Sequence, residues 1–207
     1  GYRSFGGFLS AATGCRVLLP DYRLAPDHPF PAGIDDALSV YQGVLEAGVA
    51  PSKIVLCGDS AGGGLSMVTL LRIRDASLPS PAGGIAISPL ADFTHSGASR
   101  QSNESVDPLV TMSQLLAMGD TYCGEKSRSD PLLSPVFADW SGLPPLLLMA
   151  GEIEMLRDDA RLCAQAAISA GVEVTYLEGR GMAHIWPLYA DRLSQAREAL
   201  SDIDLFV

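Results

Sequence analysis

No run of apolar residues in this chain is long enough to cross a bilayer; the longest, around Leu143 to Ala150, falls well short of the ~18 residues a spanning helix requires. Basic side chains are also scarce. Lysine and arginine total 14 against 24 aspartates and glutamates, a formal charge of −10 that argues against nucleic acid and other polyanions as partners and favours solubility. The cysteines, Cys15, Cys57, Cys123 and Cys163, lack metal-ligand spacing. Three of them fall within expected strands or helices, so buried free thiols and a cytoplasmic location are expected. Internal repeats, low-complexity linkers and a signal-peptide pattern are absent. Histidine is scarce as well, at three. With 207 residues, 47% of them hydrophobic, the chain still has ample material for a core and reads as one soluble domain over residues 1–207.

What is present centres on Lys53 to Ser66. Ile54-Val55-Leu56-Cys57 reads as a buried parallel strand, and Leu65, Val68 and Leu71 have helical spacing. Between them lies Gly58-Asp59-Ser60-Ala61-Gly62, a G-x-S-x-G sequence in strand-turn-helix context. That context is the nucleophile elbow, in which a tight turn holds a serine hydroxyl above a sheet. Taken alone, the motif also fits a glycine-rich turn carrying a solvated serine.

Helix and strand patterns alternate along the rest of the chain. A helix is expected over Tyr2 to Thr13, closed by Gly14, then a short strand over Arg16 to Pro20 and a proline-rich rigid loop over Asp21 to Pro31. Ile34, Leu38, Tyr41 and Leu45 mark one helical face, and Gly84 to Ser88 a strand. Thr94 to Trp140 is more polar and irregular, with one helix announced by a capping box at Thr111-x-x-Gln114. Then come a strand over Pro145 to Ala150, a helix over Asp158 to Ala170 ahead of Gly171, a half-exposed edge strand through Val172, Val174 and Tyr176, and a last helix from about Pro187 to Leu200. Repeated strand-helix units of this kind predict an α/β fold, a mostly parallel sheet with helices on both faces.

Three segments together resemble the bacterial hormone-sensitive-lipase-like esterases of the α/β-hydrolase superfamily: Asp21-Tyr22-Arg23-Leu24-Ala25-Pro26, Gly58-Asp59-Ser60-Ala61-Gly62-Gly63 and Ser88-Pro89-Leu90-Ala91-Asp92. The resemblance covers nearly the whole chain. It implies a serine carboxylesterase acting on short-chain acyl esters without metal or organic cofactor, and a small-molecule ester as the partner. The family's His-Gly-Gly-Gly oxyanion loop does not occur in the sequence, and Gly6-Gly7 lies inside a helical segment. The chain is therefore expected to begin downstream of that loop, without the family's cap and first strands. On that expectation the segments at 16–20 and 53–57 do not pair directly, and the chain on its own is unstable.

A serine hydroxyl needs an imidazole as base and a carboxylate to orient it. His28, between prolines, and His95, in a polar loop, read as structural or solvated, whereas His184 follows the last strand, where the Ser, acid, His order of α/β-hydrolases puts the base. Glu152, Glu154, Asp158 and Asp159 all follow the strand at 145–150. The resemblance favours Glu154, at a place where many members carry aspartate, with Asp158 as runner-up. It also implies the Ala61 N–H as one oxyanion donor. Phe93, Ile185 and Trp186 are candidates to line an acyl pocket, with plain packing near the sheet edge as the other reading, while Arg23 and Asp27 are expected to tie down the proline-rich loop and Asp92 to organise a strand end. Rival readings are amide or thioester hydrolysis, and a non-catalytic ligand-binding member of the family. A homodimer through the C-terminal edge strand is a further expectation.

Overall fold

The computed structural model of the chain describes residues 2–207. Four parallel strands, β1 (Val55–Asp59), β2 (Gly83–Ile87), β3 (Leu146–Gly151) and β4 (Val174–Gly179), lie side by side in sequence order. Their register places Gly58 beside Ala86, Ala86 beside Leu148, and Leu148 beside Tyr176. Because side chains alternate across a strand, β2 and β3 feed two cores at once. Ala86, Leu146 and Leu148 pack with Met67, Leu70 and Leu71 of α3 (Ala61–Asp75) and Cys163, Ala164 and Ala167 of α6 (Arg157–Ser169). Ile85, Ile87, Leu147 and Met149 meet Phe5 and Leu9 of α1 (Tyr2–Thr13) and Ala196, Ala199 and Ile203 of α7 (Ser194–Phe206). Ile87, Leu146 and Leu148 are 0% exposed, each worth roughly 1.5–3 kcal/mol of burial. The two central strands are thus the anchor on which the loops at their C-terminal ends are mounted.

Above those ends lies the polar stretch 94–140. It contains the single turn α4 (Ser99–Ser102) and α5 (Met112–Cys123), and a third cluster of Leu90, Phe93, Leu115, Leu133, Met155 and Leu156 binds it to the sheet. The capping box of α5 forms as expected, with Gln114 N–H donating to Thr111 Oγ1 at 3.3 Å and Thr111 N–H to Gln114 Oε1 at 2.9 Å. The proline-rich loop is held to α2 (Ala32–Glu46) by the Arg23 guanidinium on Asp36; Asp27 is exposed.

Several expectations need correction. Residues 16–20 form no strand: among the described residues no backbone group pairs with them, Leu18 and Leu19 are exposed, and Val17 packs on the α1 side of the core. β1 is not buried but half-exposed, because β2 is its one ladder partner among the described residues, so it stands at an edge. The two segments are accordingly not paired with each other. The last helix is split into a 3-10 turn at Trp186–Tyr189 and α7, with the extended Leu193 between them turning Ala196, Ala199 and Ile203 onto the core. Only Cys123 and Cys163 of the four free thiols are buried; Cys15, just after α1, and Cys57, within β1, are exposed. β4 occupies the opposite edge, as its alternation predicts, and no helix is long and apolar enough to cross a membrane among the described residues.

Candidate active site

The turn after β1 is sharp. Ser60 has φ 54° and ψ −122°, a conformation that L-residues rarely adopt, and it persists because neighbours over-determine it. Ser60 N–H donates to Ile87 O at 2.9 Å, and Ser60 O accepts from Leu90, Gly63 and Gly64 N–H. A Cβ on Gly58 would stand 2.1 Å from Gly62 O, so only glycine allows strand and helix to meet this closely. The hydroxyl is thereby raised at the C-terminal end of β1. Ala61 opens α3, and its N–H makes no hydrogen bond among the described residues, as first-turn donors of a helix generally do not. The neighbouring Asp59 carboxylate is engaged by the Tyr2 hydroxyl at 3.1 Å; burial pushes that carboxyl up and, with Asp59 alongside, the Tyr2 hydroxyl to about 12.

Four strand ends converge here. His184, beyond β4 and 6% exposed, places Nε2 2.9 Å from Ser60 Oγ. Its Nδ1 faces Glu154 Oε2, beyond β3, at 3.4 Å, a separation longer than a good N–H···O bond and of the kind that shortens when substrate fills a site. Glu154 is 0% exposed and its Oε2 accepts the Ser88 hydroxyl, beyond β2, at 2.7 Å. The same Ser88 Oγ accepts from Ile185 N–H at 3.0 Å.

Backbone contacts hold the acid turn and the histidine turn against each other. Glu152 N–H donates to Gly179 O, Ile153 N–H to Met182 O, and Gly181 N–H to the Glu152 carboxylate. Asn103 Nδ2 donates to the carbonyls of Glu152 and Glu154 at 3.0 and 2.9 Å, and Asp107 accepts from Met155 N–H at 2.8 Å. The irregular stretch thus clamps the acid in place. Asp158 is used elsewhere: it accepts from Ser99 N–H and pairs with Arg157 and Arg161. Asp159 is the buried partner of Arg100 and accepts from the N–H groups of Ala91 and Asp92. His28 is exposed, and His95 is half-buried in the turn after Asp92, where burial lowers its imidazole.

A cavity of about 410 Å³ opens over Ser60 and His184, walled by Leu90, Leu109, Val110, Gln114, Met118 and Leu156 among others. Phe93, Ile185 and Trp186 are not in that wall. Phe93 packs under it on Tyr122, Trp186 belongs to the core beneath the sheet, and Ile185 is in the left-handed turn bonded to Ser88. Sequence reasoning attributed nothing to Ser88 beyond its motif and missed Asn103, Asp107 and the α5 wall. One linear signal for the wall was present: Leu109, Val110, Leu115 and Met118 form an apolar cluster within the more polar 94–140 stretch.

Residues 3–188 match the family model described as alpha/beta hydrolase fold. An acetyl-hydrolase of Streptomyces hygroscopicus is 39% identical over the whole of this chain and 69% of its own length. An esterase of Acinetobacter venetianus is 35% identical over 96% of this chain and 66% of its own length. The crystal structure of an esterase from the bacterial hormone-sensitive lipase family superposes with a TM-score of 0.97 at 40% identity, covering 99% of this chain and 69% of that one. The chain spans about two thirds of the length of these relatives. It belongs, on this fold, these matches and the elbow at Ser60, to the hormone-sensitive-lipase-like family of α/β-hydrolases.

Proposed function

We propose that the chain hydrolyses short-chain carboxylic esters in two steps through an acyl-enzyme intermediate. Ser60 Oγ attacks the ester carbonyl while His184 Nε2 takes its proton; the imidazolium is stabilised by Glu154 and then protonates the departing alcohol. Water, deprotonated by His184, attacks the acyl-serine, and Ser60 leaves with its proton restored. The Ala61 N–H is one donor to the tetrahedral oxyanion. The observation that carries this reading is the continuous line from Ser60 Oγ through His184 to the buried Glu154, at 2.9 and 3.4 Å. The apolar cavity above it suits the hydrocarbon part of a small ester, and the relatives are named acetyl-hydrolase and esterase.

The test is turnover of p-nitrophenyl acetate by Ser60→Ala and His184→Ala. Each is expected to lower kcat on the order of 10⁶-fold, because the pair acts as a unit. Retention of more than about a tenth of kcat by either variant, where loss of the unit predicts near-complete inactivation, would overturn this mechanism.

A further inference from the structure

We infer that Ser88 is a positioning residue for the reaction: its hydroxyl ties the carboxylate of Glu154 to the backbone of the turn that carries His184. The inference rests on the Ser60, His184 and Glu154 assignment above and extends it. Ser88 is 0% exposed and follows β2 with φ 49°, a strained conformation for a residue with a side chain. Its N–H is fixed to Met149 O at 2.7 Å, so the side chain starts from a rigid point between the two central strands. Ser88 Oγ accepts the Ile185 N–H at 3.0 Å, which leaves its single proton for Glu154 Oε2 at 2.7 Å.

Oε2 is also the oxygen that faces His184 Nδ1, and Oε1 is buried with no protein partner among the described residues. Orientation of the carboxylate therefore depends on Ser88. A glutamate has one more rotatable bond than an aspartate and needs such a restraint to present one oxygen to the imidazole. Because the same Oγ holds the residue next to His184, acid and base are referenced to one atom just beyond the end of β2.

The prediction separates positioning from packing through a double-mutant cycle, read with a fluorogenic acetate ester so that low rates stay measurable. Ser88→Ala is expected to lower kcat about 10- to 100-fold, as loss of a buried hydrogen-bond partner does, with KM within about twofold. In a Glu154→Gln background, where the carboxylate charge is already gone, the same change should lower kcat less than about threefold. Ser88→Cys, which keeps a weaker donor, should fall between wild type and Ser88→Ala, and it decides the matter if Ser88→Ala does not fold. Equal losses in both backgrounds, or full kcat in Ser88→Ala or Ser88→Cys, would overturn the inference. Ser60→Ala is measured alongside: residual activity there would remove the assignment on which the inference stands, whereas inactivity there with equal Ser88 losses would remove the inference alone.

Discussion

Glu154 and Asp158 are four residues apart, both acidic, both close to the end of β3, and they do different things. Glu154 is fully buried and directs Oε2 at His184, while Asp158 is occupied by Ser99 N–H and two arginines at the first turn of α6. Carboxylates at that end of a helix are stabilised by its dipole whatever else the protein does. Replacing Glu154 by Gln should leave the shape and remove the charge that supports an imidazolium, lowering kcat on the order of 10⁴-fold. Asp158→Asn should leave kcat within a few-fold and show its effect in thermal stability instead. Steady-state kinetics on a short aryl ester with both variants checks the assignment; the larger kcat loss in Asp158→Asn would transfer the acid's role to that residue.

At the scale of elements, the acid turn and the histidine turn work because β3 ends in glycine. A Cβ on Gly151 would stand 2.3 Å from Met182 O and 2.8 Å from Ala183 O, both backbone atoms that cannot swing aside. Gly151→Ala must therefore push the segment before His184 away from the turn before Glu154. Overpacking of this kind costs about 1–3 kcal/mol, and a shift of 1 Å at reacting groups costs about 10²-fold in rate. The variant is expected to lose both stability, by denaturant unfolding, and kcat. The Thr111 capping box is exposed and, among the described residues, makes no hydrogen bond with the Glu154 and His184 turns, so Thr111→Ala should cost about 1 kcal/mol through the loss of the α5 cap, read by denaturant unfolding.

For the molecule as a whole, the pH dependence of stability has an identifiable source at Asp92. Burial alone would raise this carboxyl, yet donors from Ser96 and Thr94 outweigh it and hold the group below the ordinary aspartate value. A carboxyl depressed in the folded state contributes stability that is present above its unfolded pKa and is lost as pH falls through the folded one. The contribution of Asp92 should thus be constant from neutrality down to about pH 5 and decline below about pH 4. Asp92→Asn should be less stable than the parent at neutral pH, and the difference between the two should shrink on acidification. Urea midpoints of both proteins across that range make the comparison, and a gap that widens in acid would contradict it.

Much of this architecture was legible because its causes are local. The elbow at Gly58-Asp59-Ser60, the capping box of α5, the glycine ends at Gly14 and Gly171 and the alternation in β4 each depend on residues within a few positions of one another, and all formed as read. The motifs and the order of serine, acid and histidine were linear features too. What the tertiary structure alone decided are matters of partnership across the chain. Residues 16–20 have strand-like composition but no ladder, since a strand exists only by pairing. The cavity wall came from Leu90, Leu156, Leu109, Val110 and one face of α5 rather than from Phe93, Ile185 and Trp186, because the path of the irregular stretch over the sheet, not hydrophobicity, sets which apolar side chain meets open space. Ser88 reaches Glu154 across 66 positions and Ile185 across 97, a meeting fixed by the register of β2 against β3 and the depth at which each strand ends. Spacing in the sequence carries no measure of that depth.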